Sequence, residues 1–372
     1  MSEVLADCAM VKPSLTGRIT VRHFHRRPNS RHFSMERLFA DIRRCLPAWI
    51  ECGAVVSRFE SRGLMRRLYN VGEAWVRRKN VNHITGDVHY LAFGLPRRAL
   101  VLTIHDCVVL NRTVGLRRWL IRLLWFEIPV RRAAVVTTIS ESSRREILRF
   151  TSCAPDKIVV IPNCVSQEFS AKPRSFNAAC PLILQIGTAP NKNIEALAAA
   201  LSGLSCRLRI IGTPSVAQWN AIRASGIECV VHERLSAEEM TRAYTDADIV
   251  ALASTYEGFG LPIVEANAVG RPVVAGNVFS IPEVAGNAAC LVDPHDVESI
   301  RNGFLKVIGD REYREALVAA GFENVRRFNR DVVAEHYAAV YAMVASGEIA
   351  SGMMKEESRE TAVVAPTPGG AI

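Results

Sequence analysis

The sequence predicts an α/β protein made of two doubly wound, Rossmann-like domains. Three observations carry that expectation. The chain has 372 residues, which at roughly 150 residues per domain makes about two. Short apolar runs alternate with amphipathic helical stretches along most of its length, the pattern of parallel strands covered by helices. The hydrophobic fraction is 49% and the charged fraction 22%, which excludes a mostly disordered or collagen-like chain. The same reading places a flexible segment at 1–16, a first domain at 17–165, an aperiodic linker at 166–180 and a second domain at 181–330. A helix at 331–345 is expected to cross back to the first domain. Residues 346–372 read as a disordered tail.

The elements follow in order. Residues 17–23 alternate like a first strand, and the polar stretch 26–32 reads as a loop. Ser34 suits an N-cap before a helix over 35–45, where Leu38, Phe39 and Ile42 recur at helical spacing. A strand is expected at 54–59, a basic helix at 64–78, strands at 81–85, 99–105 and 133–139, a helix at 141–150 and a strand at 158–162. The second series runs through strand 182–186, helix 194–201, strands 208–211 and 229–231, helix 237–246 and strand 249–253. A helix opened by Pro262, a strand at 272–275 and a helix at 297–308 complete it.

Charge is unevenly placed. Residues 1–170 hold 28 Lys and Arg against 14 Asp and Glu, the rest 18 against 23, so the net +9 divides into +14 and −5. A basic first half points to an anionic partner, such as a phosphorylated substrate or an anionic membrane face. Nucleic acid is not expected, because the basic residues are not interleaved with aromatics in a recognisable module. The ten cysteines stand singly, without the paired spacing of a zinc or thioredoxin-type site, and read as reduced, buried side chains. Residues 1–16 contain Glu3, Asp7 and Lys12 and no sustained apolar core, so a cytoplasmic protein without a secretory leader is expected. No run of about 18 uncharged apolar residues indicates a membrane span.

The chemistry concentrates in Ser254-Thr255-Tyr256-Glu257-Gly258-Phe259-Gly260-Leu261-Pro262-Ile263-Val264-Glu265. A strand ends near Ser254, a glycine loop follows, and a helix begins at Pro262. In open α/β sheets ligands bind beyond the carboxyl ends of strands, and exposed N–H groups at a helix start suit phosphate. Glu257 on the loop and Glu265 in the helix can flank one ligand, and a carboxylate accepts two hydrogen bonds from vicinal hydroxyls.

This run resembles the donor-binding signature of family 4 retaining glycosyltransferases. The resemblance extends through Gly270-Arg271-Pro272-Val273-Val274-Ala275, Ile281-Pro282-Glu283-Val284-Ala285-Gly286 and Leu291-Val292-Asp293-Pro294. Upstream, Ile186-Gly187-Thr188-Ala189-Pro190-Asn191-Lys192-Asn193 is similar to the family's phosphate-binding turn, and Ile161-Pro162-Asn163-Cys164-Val165 to the segment before its linker. The resemblance implies the GT-B fold, two Rossmann-like domains facing a central cleft. It implies that Glu265 holds the nucleotide ribose and that Glu257 contacts the transferred sugar or the catalytic centre. Phe259, Gly260 and Leu261, with Gly258, would bind sugar hydroxyls and phosphate through their backbone. Lys192 would neutralise the diphosphate as the leaving group gains charge. Four positions before that Lys, where the family usually has an Arg, this chain has Thr188.

In the first half the resemblance is weaker. Ser140-Glu141-Ser142-Ser143 matches a domain-end segment, and Thr103-Ile104-His105-Asp106 a histidine-bearing motif, so His105 would touch the donor sugar or its attacking partner. Asp106 either orients His105 or caps the next turn. His89 is a weaker candidate of the same kind. The family's glycine loop after the first strand is replaced by His25-Arg26-Arg27-Pro28-Asn29-Ser30-Arg31, from which Arg26 and Arg31 could reach phosphate. No metal and no cofactor are expected, the nucleotide-sugar being a co-substrate. Asp246-Ala247-Asp248 reads as helix-end and turn chemistry.

The stretch 116–126 combines Arg, Trp and Leu and suits either an interior helix or one lying in an anionic membrane interface. The second choice implies peripheral attachment to the inner face of a cell membrane and a lipid-linked saccharide acceptor. The reading is thus a retaining, metal-independent transferase passing a sugar, mannose from a GDP donor among the options, to a saccharide or lipid-linked hydroxyl. Front-face substitution is what the resemblance implies for its mechanism. A sugar-nucleotide epimerase on the same fold and a non-catalytic nucleotide-sugar-binding scaffold are the rivals.

Overall fold

The computed structural model describes residues 18–27 and 34–347, so the expectations for 1–16, for Arg31 and for the tail beyond 347 lie outside the described residues. The chain forms two compact units. Of the described residues, unit 1 comprises those up to Thr138, Glu146–Ile161 and those from Ala334 to Gly347; unit 2 comprises Ile139–Arg145 and Pro162–Val333.

Unit 1 is a six-stranded parallel sheet of β1 (Ile19–His25), β2 (Ile50–Val56), β3 (Val81–Ile84), β4 (Leu100–Ile104), β5 (Val135–Thr138) and β6 (Ile158–Val160), in the order β2-β1-β3-β4-β5-β6. The helices of this half of the chain include α1 (Ser34–Cys45), α2 (Leu64–Val76), α3 (Gly115–Ile121), α4 (Ile128–Arg132) and α5 (Glu141–Phe150), the first turn of α5 counting with unit 2. Strand β2 begins earlier than the sequence predicts, pairing Ile50 with Ile19. As the sheet's edge it is partly exposed, so its alternation is weak. Between α3 and α4 the turns widen into a π-helical segment, Arg122–Glu127. Pro129 cannot donate to the Trp125 carbonyl one turn back, and His89 Nδ1 donates to that oxygen instead, at 2.8 Å.

The two faces of this sheet differ. Strand alternation puts Phe24, Ile84, Leu102, Ile104 and Val136 in one apolar cluster. The other face starts apolar at Val21, Val81, Val101 and Val135 but becomes polar toward the strands' carboxyl ends, with His23, His25, His83, Thr85, Thr103 and Thr137 all buried. Residues of α1 and of the last helix, Arg330–Ser346, cover it. Arg43 of α1 donates to His23 Nδ1 at 3.3 Å and to His25 Nε2 at 2.9 Å. Since arginine only donates, both imidazoles accept there and carry their proton on the other nitrogen. His25 therefore donates to Thr85 Oγ1 at 2.8 Å, and His23 to the Tyr341 hydroxyl at 2.8 Å. Tyr341 passes its own proton to His83 Nδ1 at 2.7 Å, and His83 Nε2 donates to Thr103 Oγ1 at 2.6 Å. One proton arrangement satisfies the whole chain, with all three histidines neutral. Burial, first among its causes, holds His23 and His83 well below the ordinary histidine range and takes His25 down to about 4.

Unit 2 contains β7 (Leu182–Ile186), β8 (Arg207–Ile211), β9 (Glu228–His232), β10 (Ile249–Leu252), β11 (Val273–Gly276) and β12 (Cys290–Val292), all parallel in the order β12-β11-β10-β7-β8-β9. Helices α6 (Ile194–Leu201), α7 (Val216–Ser225), α8 (Ala237–Asp246), α9 (Leu261–Val269), α10 (Ile281–Ala285), α11 (Val297–Gly309), α12 (Arg311–Val325) and α13 (Arg330–Ser346) follow in chain order. Its central strands β10 and β11 are apolar on both faces, as fully covered parallel strands are, while β8 and β9 toward the edge carry Arg207, Arg209, Glu228 and His232. Asp248 accepts backbone N–H groups from Leu182 at 2.8 Å and Asn177 at 3.2 Å, the turn role expected of the Asp246–Asp248 triplet. The nine cysteines that the structure describes are all free thiols. Among the described residues no group of His, Cys, Asp and Glu is arranged to hold a metal ion, and no helix is long and apolar enough to cross a membrane.

Candidate functional site

In unit 2 the chain runs outward from β7 to β9, then returns to lay β10 against the other side of β7. The loops after β7 and β10 therefore diverge at the topological switch point, where open sheets bind ligands. The loop after β7 is Gly187–Asn193 and that after β10 is Ala253–Gly260. Asn191 ties them, accepting from Thr255 N at 2.9 Å and donating to the Tyr256 carbonyl at 2.9 Å. Asn193 adds a bond to the Ala253 carbonyl at 3.0 Å.

Lys192 Nζ and Glu257 Oε1 meet at 2.6 Å with side chains 16% and 13% exposed, so the structure brings together one cation and one carboxylate that the sequence analysis singled out. Ser280 Oγ donates to the Glu257 carbonyl at 2.8 Å and Ser140 Oγ to the Gly258 carbonyl at 2.9 Å, which fix the loop from both sides. Gly260, at φ 96°, ends it in a conformation that side chains resist, and α9 starts there with no side-chain cap. Its first N–H groups and dipole thus remain available to an anion. Leu261 and Phe259 pack into the core beneath.

Glu265, one turn into α9, is half-buried and accepts a hydrogen bond from the Tyr244 hydroxyl. Burial and that carboxylate together raise Tyr244 well above the usual tyrosine range, so it stays a donor. Tyr244 was not among the residues singled out, because in α8 it reads as core; the signal was a buried hydroxyl that needs a partner. Glu283 was likewise missed. Its carboxylate accepts from Glu141 N at 2.8 Å and Ser142 N at 3.3 Å, capping the start of α5. Thr188 turns its hydroxyl to the Thr213 carbonyl at 3.0 Å, while its methyl stands where a Cβ on Gly212 would be, 2.8 Å away. It supplies no charge in place of the arginine. Gln185 Oε1 and Ser254 Oγ, at the carboxyl ends of adjacent strands, are buried polar atoms with no hydrogen-bond partner.

The remaining candidates belong to unit 1. His105 follows β4, half-buried, with Nε2 donating to the Thr85 carbonyl at 2.9 Å; burial lowers its pKa. Asp106 accepts from Val108 N at 3.0 Å and so caps the following turn. His89 is buried against Phe126, fills the carbonyl orphaned by Pro129, and titrates down near 4, which is structural work. Arg26 is half-buried between Glu36 at 3.1 Å and Asp87 at 3.3 Å.

Comparison with known proteins agrees with this geometry. Residues 166–324 match the glycosyl transferases group 1 family, and residues 54–169 match glycosyltransferase family 4. The chain is 29% identical over 290 residues to an O-antigen chain mannosyltransferase B of Escherichia coli, covering 71% of this chain and 75% of that one. Among solved structures, a sucrose-phosphate synthase from Thermosynechococcus elongatus superposes with a TM-score of 0.73 at 15% identity, over 88% of this chain and 100% of that one. An Anabaena protein, HepE, in complex with UDP and glucose, superposes with a TM-score of 0.69 at 18% identity, over 86% of this chain and 98% of that one. The fold is that of the GT-B glycosyltransferases. With both of its halves matched and the signature loops assembled at one switch point, the chain belongs to the family 4, group 1 glycosyltransferases.

Proposed function

We propose that this protein is a retaining, metal-independent glycosyltransferase that takes a sugar from a nucleotide-sugar donor held in unit 2. The observation that carries the reading is the Lys192–Glu257 pair beside the uncapped start of α9. The donor diphosphate draws Lys192 toward itself and lies against the α9 N–H groups, where charge on the departing nucleotide is stabilised as it develops. Glu257, released from Lys192, takes the sugar hydroxyls. Glu265, oriented by Tyr244, accepts the ribose hydroxyls. His105 contacts the transferred sugar or the attacking hydroxyl.

The related Escherichia coli mannosyltransferase supports GDP-mannose as donor and a surface polysaccharide as product. A lipid-linked acceptor on the inner face of a cell membrane fits the exposed Leu116, Trp119 and Leu120 of α3, which turn an apolar strip to solvent beside Arg117. Thermal-shift screening against GDP-mannose and the common UDP-sugars tests the donor reading, because a bound donor raises stability by mass action. The Glu265→Ala variant is expected to lose the shift. A variant that responds to the donor like the parent would refute the ribose assignment. Acceptor-dependent nucleotide release supports transfer, whereas isomerised donor alone would favour the epimerase.

A further inference from the structure

Helix α2 packs inward through Asn70, Val71 and Ala74 and turns most of its large apolar side chains outward. At about 100° per residue, Leu64, Met65, Leu68, Tyr69, Trp75 and Val76 fall within about 140° of arc. All six are exposed, Met65 by 78% and Val76 by 79%. The opposite face, which packs on unit 1, buries Asn70 and Ala74. Asn70 is fully engaged there, donating to the Phe59 carbonyl at 2.8 Å and to the Tyr90 hydroxyl at 2.9 Å while accepting from Phe59 N at 3.2 Å. A solvent-facing helix ordinarily does the reverse. Six large apolar side chains shown to water on one helix mark a surface that something covers.

Charge identifies the cover. Arg66 and Arg77 border the strip on one side, and Arg78, stacked on the Trp75 ring at 3.8 Å, on the other. Just past the helix, Arg22, Arg77, Arg78 and Lys79 line a cavity of about 300 Å³. Arg22 Nε is buried there without a hydrogen-bond partner, and its guanidinium lies over Gly53, where a Cβ would come within 2.7 Å. A second copy of the chain would lay arginine on arginine across a two-fold contact. A surface of phosphates over hydrocarbon satisfies both the cations and the leucines. Beside the strip, Arg67 of α2 stacks on Trp125 of the π segment that follows α3, at 4.5 Å.

We propose that α2 lies in the interface of an anionic lipid bilayer, with its apolar strip at the acyl boundary and lipid phosphates at the Arg22–Lys79 cavity. This extends the membrane attachment proposed above from α3 to a second helix, and its failure is separable from failure of that reading. The test is co-sedimentation of the full chain with vesicles of phosphatidylglycerol and phosphatidylcholine, against phosphatidylcholine alone and against free inorganic phosphate as competitor. The Leu64→Ser/Met65→Ser/Leu68→Ser variant should lose vesicle binding by roughly tenfold or more while keeping its melting temperature and its donor thermal shift. The Trp119→Ser/Leu120→Ser variant of α3 serves as the parallel. Lys79→Glu should weaken binding to the anionic vesicles alone, and competition by phosphate would place a headgroup phosphate in the cavity. If the α2 variant binds as the parent does, the assignment of α2 is overturned while α3 attachment stands. If the parent fails to bind vesicles, or instead dimerises through α2 in light scattering, both membrane readings fall and the glycosyltransferase reading is untouched.

Discussion

The two units share one plan and fill it differently. Each is a six-stranded parallel sheet that reverses direction beside its first strand, at β1/β3 in unit 1 and β7/β10 in unit 2. At both switch points a basic residue after the first strand pairs with an acid after the neighbouring strand: Arg26 with Asp87, and Lys192 with Glu257. In unit 2 the strands around that pair, β7, β10 and β11, are apolar apart from Gln185, and the pair itself stands in the loops beyond them. In unit 1 the polar layer reaches back under the helices as a chain of neutral histidines. One topology therefore supports a sheet with an apolar centre and its paired charges at the rim, and another sheet in which hydrogen bonding replaces part of the apolar contact with α13.

Four experiments would break or sharpen that contrast. The largest effect is expected from Lys192→Ala, which should reduce turnover by about 10²–10³-fold, the usual loss for one fixed donor to developing charge. Steady-state rates measured beside the melting temperature would separate chemistry from folding. Tyr341→Phe comes next. It strips the hydroxyl that joins His23 to His83 and leaves two buried imidazole nitrogens unpaired, at a cost of about 2–3 kcal/mol. Urea unfolding should record that loss with the donor thermal shift unchanged.

The third is a pH dependence. The histidines of unit 1 are depressed in the folded state, so the unfolded chain binds protons first. Their stabilisation is complete above about 6.5, the ordinary histidine value, and fades as pH falls toward about 4, where His25 titrates. The urea midpoint should fall across that window, and less steeply in a His83→Gln variant. A flat profile would mean that the network does not hold its histidines neutral. The smallest effect belongs to Arg26→Gln, which removes the ion pairs with Glu36 and the exposed Asp87 at a cost of about 1 kcal/mol and leaves donor binding intact, unlike its counterpart in unit 2.

Much of this was legible before any coordinates. Apolar strands such as 182–186 and helix 237–246 announce themselves, because buried parallel strands are uniform and the Ser236–Glu239 capping box marks a helix start. Helix α7 carries the same kind of signal in Ser215 and Gln218, but with glutamine and few apolar residues after it the stretch was passed over. Helix α12 and strand β12 also escaped, the strand being only three residues long. For the site, the loops around Glu257 and Lys192 could be read, but their 2.6 Å contact could not, since it depends on β10 returning to β7 across more than sixty residues of chain. The polar face of unit 1 was hidden for a similar reason. His23, His83 and Thr103 are scattered in sequence and meet only through strand register.

The thiols of this chain offer a clock. Burial pushes Cys52 up to about 12 and Cys153, Cys206 and Cys229 up to about 11, so at neutral pH almost none is the thiolate that alkylating reagents attack. Labelling in the native state will be slow and will accelerate at each cysteine only when its surroundings open. With Cys52 and Cys153 in unit 1 and Cys206 and Cys229 in unit 2, mass spectrometry of timed alkylation would time the loosening of each half in one sample, with no label engineered into either.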